Sequence, residues 1–405
     1  MAAFGHRRPR LTSNVKPCSG WASCGEPFEK EVDMPLHGKN EGTMASRRAL
    51  TRCLLGMVWL AAGVFVPATY AQPPARAPVP WVDVHMHLIG GRGQQQDFAG
   101  AVDAAIHEME RFGVAMAIVL PPPQVDQQPV HDASAFVGAL QRHRDRFAYL
   151  GGGGALNSTI HRYADPATVT DAVKRGFAAA AEQIIDSGAI GFGEMASLHM
   201  SATTGHPYEF VPADHPLLRV LADVAAKRDA PIDLHMDAVE GEMPTPSRFA
   251  VPPNPPKLAD TMGGLVRLLA YNPKAKIVWA HGGSDPLGAM TPAAIGRLMD
   301  AHPNLSVSLR IMGAQAPMMN KALTGTGLDP DWKDLLTRHA DRFMIGTDSF
   351  MVSPSVRRGG PGVSFAERNT PKLQATVHFL SLLPSDVAAK IGRENAMRIY
   401  KLPPR

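Results

Sequence analysis

From residue 81 onward, short apolar runs alternate with longer stretches of mixed polarity, and this alternation determines the predicted elements. The runs are rich in β-branched residues and have the length of buried strands. They lie at 82–87, 114–120, 147–151, 189–194, 231–236, 276–281, 304–309 and 343–348. The stretches between them are typical of helices and include 99–112, 134–143, 168–187, 216–228, 262–271, 292–301 and 332–339.

Strands that alternate with helices predict parallel βαβ units and therefore an α/β fold. Eight such units fit a single (β/α)8 TIM barrel that occupies residues 81–405. A doubly wound open sheet is the alternative. The glycine-containing stretch 90–93 after the first strand does not match the G-x-G-x-x-G pattern that would favour dinucleotide binding on such a sheet.

Four of the predicted connections are long and rich in Pro, Gly, Ser and Met. They lie at 195–213, 237–260, 310–330 and 349–370. Each follows a strand rather than a helix, and the loops after the strands of a barrel build its C-terminal, catalytic face. We therefore expect the functional residues at that face.

The segment 44–71 has the features of an export signal. Arg47, Arg48 and Arg52 form a positive region before the apolar stretch 53–66, and small residues precede Gln72. The two adjacent arginines partly match a twin-arginine signal. We expect a periplasmic or secreted protein without stable membrane insertion after cleavage. An uncleaved anchor is the alternative, although the apolar stretch is short for a membrane span.

Residues 1–43 are polar and aperiodic, which indicates either disorder or a true start at Met44, and we favour the second explanation. Residues 72–80 are rich in Pro and Ala and are typical of a linker. All three cysteines precede residue 72, so a mature chain would contain none. This excludes a thiolate nucleophile and cysteine metal ligands from that chain.

The charge balance indicates what kind of partner the chain binds. The formal net charge is +4, and part of the surplus lies in the first few dozen residues. No Lys/Arg run with interleaved aromatic residues occurs elsewhere, so we expect a small-molecule substrate and no nucleic acid. A homo-oligomer is compatible with the sequence, which leaves the oligomeric state open.

Imidazole and carboxylate side chains lie at the predicted strand ends. On the first strand, His85 and His87 are two residues apart and point to the same side. The others are Glu194, His235, His281 and Asp348, at the ends of strands four, five, six and eight. Any one alone is more often a core histidine or an exposed strand-end carboxylate. Together, at one barrel mouth, they predict a site for one or two divalent metal ions, with zinc the best match.

This set of residues resembles the amidohydrolase superfamily of metal-dependent TIM-barrel hydrolases, in its amidohydrolase-related (amidohydrolase 2) branch. The resemblance covers residues 81–402. The closing segment 391–402 is similar to the terminal helix of that branch, where an Asn-Ala pair, here Asn395 and Ala396, precedes an apolar-polar run. An ordinary amphipathic helix would also explain that segment.

The resemblance implies a role for each strand-end residue. His85 and His87 stand where the family binds its first metal, and Asp348 matches the carboxylate that is both ligand and proton shuttle. His235 and His281 match the histidines of strands five and six.

Glu194 stands where many members of the superfamily carry a carboxylated lysine that bridges two metals. It therefore permits a site with two ions. The resemblance implies hydrolysis of an amide, lactone or ester bond. A single-zinc non-oxidative decarboxylase or hydratase is the enzymatic alternative, and a binding protein on a decayed barrel is the non-enzymatic one.

The chemistry of the residue types predicts further roles. Asp348 is the expected catalytic proton carrier, and His281 is expected to bond a developing oxyanion or to ligate a second metal. Asp83 lies two residues before His85, where a buried structural role is favoured over support of a ligand.

Substrate contacts are expected from residues in the loops after the strands. Arg310 follows strand seven, and Arg357 lies in the loop after Asp348; each could hold a carboxylate or phosphate, although solvated loop arginines are more common. His199 lies in the loop after Glu194 and is expected to line the mouth.

Overall fold

The computed structural model describes residues 79–89, 96–125, 132–202, 206–356 and 369–404. The predicted leader at 1–43, the signal at 44–71 and most of the linker lie outside the described residues, and so does Arg357. Among the described helices, none is long and apolar enough to cross a membrane.

Eight parallel strands form the central sheet. They are β1 (Trp81–Ile89), β2 (Val114–Val119), β3 in two segments (Phe147–Tyr149 and Gly151–Gly152), β4 (Phe192–His199), β5 (Ile232–Met236), β6 (Ile277–Gly282), β7 (Leu305–Leu309) and β8 (Phe343–Ile345). Each predicted strand therefore has a counterpart.

The helices follow the strands in alternation. They are α1 (Phe98–Phe112), α2 (Val137–Leu140), α3 (Leu156–Arg162), α4 (Asp171–Asp186), α5 (Pro216–Arg228), α6 (Met262–Tyr271), α7 (Pro292–Ala301), α8 (Pro330–Arg338), α9 (Asn369–Ser381), α10 (Ser385–Ala389) and α11 (Asn395–Ile399). Asp and Thr caps begin several of them; for example, Thr291 accepts a hydrogen bond from the Ala294 N–H at the start of α7.

The order of the strands shows how the sheet is closed. The ladder runs β3–β2–β1–β8–β7–β6–β5–β4 and then reaches Gly151–Gly152. That last segment is separated from Phe147–Tyr149, where the ladder started, by Leu150 alone. The sheet thus returns to the strand on which it began, as the predicted barrel requires and an open sheet does not.

Two strands differ by about three residues or more from their predicted bounds. Strand β4 extends to His199, so Glu194 is its third residue rather than its last, and its end pairs with the short antiparallel strand Glu209–Phe210. Strand β8 ends at Ile345, and a separate strand, Ser349–Val352, then pairs with β1. Two of the predicted loops therefore begin as strands, because alternation at these points continues past the ligand residues.

The C-terminal segment covers the end of the barrel at which the strands begin, opposite the end that carries the predicted ligands. A π-helical turn, Lys390–Glu394, joins α10 to α11. The buried Asn395 side chain donates hydrogen bonds to the carbonyls of Ala340 and Phe343, at 2.7 and 2.8 Å. The Asn of the Asn-Ala pair thus satisfies two carbonyls at the start of β8, which an apolar residue of an amphipathic helix could not do.

Candidate metal centre

The six predicted ligand residues converge at the C-terminal ends of the strands. His85, His87, Glu194, His235 and His281 are between 0 % and 8 % exposed. Asp348 follows β8, and His281 and Asp348 both have a positive φ, at 72° and 52°. Such a conformation is rare for residues other than glycine and is concentrated at functional sites. The structure therefore brings all six side chains to one place, as predicted.

Glu194 lies at the centre of the group, and its two oxygens face different partners. Oε2 is 3.4 Å from His85 Nε2 and 3.3 Å from His87 Nε2. Oε1 is 2.7 Å from His235 Nδ1 and 3.3 Å from His281 Nε2. The cluster therefore consists of two halves that share one carboxylate.

The first half also contains Asp348, whose Oδ1 is 3.4 Å from His87 Nε2. Ligand atoms around a tetrahedral zinc ion, bonded at about 2.0–2.1 Å, lie about 3.3 Å apart. The separations of His87 Nε2 from Glu194 Oε2, 3.3 Å, and from Asp348 Oδ1, 3.4 Å, match that edge length. The donor types and their spacing both fit a divalent ion of the zinc class.

The tautomers of the first-strand histidines also fit a metal. His87 Nδ1 lies 2.8 Å from the carbonyl oxygen of Leu120, which can only accept, so Nδ1 carries the proton. His85 Nδ1 lies 3.2 Å from both oxygens of the buried Asp233. The opposite atom, His85 Nε2, is buried and makes no hydrogen bond. When either imidazole is neutral, its Nε2 therefore carries the lone pair and faces Glu194, the orientation that a metal ligand needs.

The second half is less tightly enclosed. His235 Nε2 is 3.7 Å from Asp237 Oδ1, and His281 Nδ1 is buried without a hydrogen bond. A cavity of about 10 Å³ adjoins His281, Asp237 and Ser284. A volume of that size is about the minimum for one water molecule. The ring nitrogens of His235 and His281 that face away from Glu194 therefore lack the hydrogen bonds that hold Nδ1 of His85 and His87.

Strong electrostatic coupling shifts the pKa values within the cluster. Burial opposes ionisation of Glu194, but His85, His235 and His281 hold its pKa well below the usual value. Burial lowers the pKa of His235, yet Asp237 and Glu194 raise it to about 10. Burial, Arg310 and His235 lower the pKa of His281 to about 3. Without an ion, the cluster combines an anionic carboxylate with both cationic and neutral imidazoles.

Arg310 is engaged with the ligand carboxylate rather than free in the loop. Its Nη1 pairs with Asp348 Oδ2, and its Nε donates to Ser284 Oγ at 2.9 Å. The Lys372 ammonium donates to the backbone carbonyl of Asp348. Burial raises the pKa of Asp348, but Arg310 and His87 outweigh it and hold this pKa well below the usual value. Arg310 thus orients Asp348, leaving Oδ1 for the ion.

His199 extends the row of imidazoles outward from the cluster. Its ring centroid is 4.3 Å from that of His235 and 4.6 Å from that of His206. Burial and the neighbouring His235 lower its pKa well below the usual value, so the ring is neutral. His199 is therefore beside the cluster, as expected of a residue at the mouth, although it belongs to β4 and not to a loop.

Sequence reasoning missed several residues that support the ligands. Asp233 was not singled out, whereas Asp83 was considered for that role. Asp83 instead accepts hydrogen bonds from the backbone N–H groups of His85 and Thr347 and from the Thr347 hydroxyl. Its favoured structural role is thus confirmed. The pattern Asp-x-His occurs on β1 and again on β5, at Asp233 and His235, and that repeat was the available signal.

The comparisons with known proteins give the family. A family model described as Amidohydrolase matches residues 82–402. None of the curated proteins compared with the chain matches it.

Solved structures that resemble the chain include enzymes of several activities. A dihydroorotase from Campylobacter jejuni is 16% identical, with 84% of this chain and 88% of that one covered and a TM-score of 0.42. A 2,6-dihydroxybenzoate decarboxylase from Rhizobium is 16% identical, with 80% and 99% covered and a TM-score of 0.44. A probable 2-pyrone-4,6-dicarboxylic acid hydrolase from Acinetobacter baumannii is 11% identical, with 80% and 100% covered and a TM-score of 0.45. With a family model matched over 82–402, this chain belongs to the amidohydrolase family.

Proposed function

We propose that this protein is a metal-dependent hydrolase that holds two divalent ions, of zinc or a similar metal, and cleaves an amide, lactone or ester bond. The observation that supports it is the division of Glu194, whose two oxygens face two separate pairs of imidazoles. A carboxylate shared in this way is suited to bridge two ions, and two ions about 3.5–4 Å apart are typical of metal-assisted hydrolysis.

The proposal shares Glu194 between the two ions and assigns every other ligand to one of them. His85, His87, Asp348 and Glu194 Oε2 would hold the first ion. His235 Nδ1 and the neutral His281 Nε2 both face Glu194 Oε1, so we assign these two histidines to the second ion. This ligand role takes precedence over a hydrogen bond to a developing oxyanion.

The bound metal would bring the pKa of a water molecule toward neutrality and polarise the scissile carbonyl. Asp348 would accept a proton from the attacking water and deliver it to the leaving group. Arg310 keeps the pKa of this carboxylate low, so Asp348 is ionised and available as the proton acceptor.

Substrate recognition is proposed for Arg310 and His199, with Arg357 proposed from the sequence. Arg310 is 18 % exposed at its side chain, so it can contact a substrate carboxylate while it stays bonded to Asp348. His199 presents a neutral imidazole beside His235, where it can donate to or accept from a polar substrate group.

Export is proposed from the sequence at 44–71, with the protein in the periplasm or outside the cell. The N-terminal sequence of protein recovered from those compartments tests it. A mature chain that begins near Gln72 supports export, and a cytosolic chain that retains residues 44–71 contradicts it.

The catalytic proposal is tested on purified protein with measured metal content. We expect two ions per chain and hydrolysis of members of an amide, lactone and ester panel, lost on chelation and in His85→Ala. Activity that survives both chelation and His85→Ala would contradict metal-dependent hydrolysis. Release of carbon dioxide from aromatic acids by a protein with one ion would establish the decarboxylase alternative instead.

A further inference from the structure

A buried polar group behind β4 has no place in the proposed chemistry. Asn157 and His161 are four residues apart on α3 and therefore lie on the same helix face. Asn157 Oδ1 accepts a hydrogen bond from the Ala196 N–H at 2.8 Å, and His161 Nε2 donates to the Ala196 carbonyl at 3.1 Å. Both backbone groups of Ala196, two residues beyond Glu194, are thus held by side chains of one helix.

The position of this group follows from the way that the barrel closes. The neighbouring segment Gly151–Gly152 pairs with β4 only as far as Gly193. On the other side, the pairing with β5 shifts register between Ala196 and Leu198. Buried backbone N–H and carbonyl groups must find partners. On this edge of β4, α3 provides the hydrogen-bond partners for Ala196 that a longer Gly151–Gly152 segment would otherwise provide.

Glu209 connects the two helix side chains and completes the group. Its Oε2 accepts a hydrogen bond from Asn157 Nδ2 at 2.7 Å and lies 3.4 Å from His161 Nε2. Asn157 Nδ2 also donates to the carbonyl of Gln124 at 3.1 Å. Glu209 is 1 % exposed, and its own strand pairs with the end of β4 at His199. The side chains of Asn157 and Glu209 therefore have little freedom to move.

We propose that Asn157, held by Glu209 and assisted by His161, is a positioning residue that fixes the bridging carboxylate Glu194 between the two metal sites. The inference rests on the proposed two-ion site. A ligand constellation has to be held within about 0.5 Å of its working geometry, and a bridging oxygen pair must satisfy two ions at once. Pairing of β4 with Gly151–Gly152 ends at Gly193, and its pairing with β5 shifts register across Glu194 and again after Ala196. The Ala196 anchor, together with the bond from the Glu194 N–H to the Pro121 carbonyl, therefore holds this part of the strand.

The test compares Asn157→Leu with Asn395→Leu in the full chain. The two asparagines are matched: both are buried, at 0 % and 2 % exposure, and both anchor backbone groups of a barrel strand. Asn395 anchors the opposite end of the barrel. We measure zinc dissociation constants by competition with a chromophoric chelator, thermal unfolding, and the spin coupling of two bound Mn²⁺ ions.

We expect Asn157→Leu to weaken zinc binding by about 10–100-fold, the range for residues that support metal ligands, and to abolish spin coupling. Asn395→Leu should lower the unfolding temperature and keep both ions coupled. Equal metal binding in the two variants, whether retained or lost, would overturn the inference. A wild-type protein that binds two ions without hydrolysing any substrate would contradict the proposed function alone, and a wild type that binds no ion would overturn both.

Two further variants keep the test decisive if Asn157→Leu fails to fold. His161→Phe removes one of the two hydrogen bonds to Ala196 and still places an aromatic ring there. We therefore expect a smaller loss of zinc affinity than in Asn157→Leu. Glu209→Gln retains an oxygen that can accept from Asn157 and should keep both ions. Wild-type zinc affinity in His161→Phe would overturn the inference, and so would a Glu209→Gln loss as large as that of His161→Phe.

Discussion

Replacement of Asp233 tests how the barrel interior controls the metal site. Both oxygens of Asp233 lie 3.2 Å from His85 Nδ1, and both residues are fully buried. This contact fixes the tautomer that leaves Nε2 free for the ion. Removal of such a partner typically weakens metal binding by about 10–100-fold, which corresponds to about 1.4–2.7 kcal/mol.

The two oxygens allow a graded expectation. Asp233→Asn keeps one acceptor and loses the charge, so we expect the lower end of that range, about tenfold. Asp233→Ala removes both acceptors and leaves a buried imidazole N–H unpaired, so we expect the upper end, about 100-fold. The loss should fall mainly on the first ion, to which His85 is assigned.

The assay is chelator competition at constant pH and ionic strength, with metal content and unfolding measured on the same preparations. Asn395→Leu is the control, since Asn395 is also buried, at 2 % exposure, but holds carbonyl groups at the opposite end of the barrel. It should lower stability and leave binding of the first ion unchanged. Wild-type zinc affinity in Asp233→Ala, or an equal loss in Asn395→Leu, would refute the reasoning.

Three other predictions address the second ion, proton linkage and Arg310. His281→Ala should leave one ion per chain, held by the first half, as measured by metal analysis; two retained ions would contradict the assignment. Metal binding should release protons near neutral pH, because His235, with a pKa of about 10 in the metal-free protein, must lose its proton. The apparent metal affinity should therefore rise as the pH rises toward the pKa of His235. Calorimetry in buffers of different ionisation enthalpy measures how many protons are released, and metal binding without proton release would refute this prediction. Arg310→Met should free Asp348 Oδ2 and reduce kcat more than metal content, whereas Arg310→Lys should restore part of kcat if charge is what matters.

The ligand residues were predictable because each is a polar residue at or near the end of an apolar strand, and parallel strands bring their ends together. Their supports were not predictable in the same way. Asp233 reaches His85 across the barrel, over 148 positions in the chain, and Asn157 meets Glu209 over 52. Such pairings depend on the shear and twist of the closed sheet, which the spacing along one strand does not contain.

The position of Glu194 shows a similar limit. Alternation indicates that it points into the site, but the continuation of β4 to His199 comes from pairing with β5 and with the short strand Glu209–Phe210, which the pattern along β4 alone does not contain. Likewise, Arg310 was expected to face substrate because it follows β7, whereas its contact with Asp348 arises only when β8 docks. The local pattern thus predicts which side chains point into the site, and the packing of separate strands against each other decides what those side chains contact.

The neighbouring positions of the first and last strands affect when the first metal site is complete. Asp83 bonds the Thr347 hydroxyl 264 residues later, and His87 meets Asp348 across the same seam. Under the proposed assignment, a chain that ends before β8 would lack Asp348, one of the ligands of the first ion. The first metal site would therefore be complete only when the last strand has docked on the first.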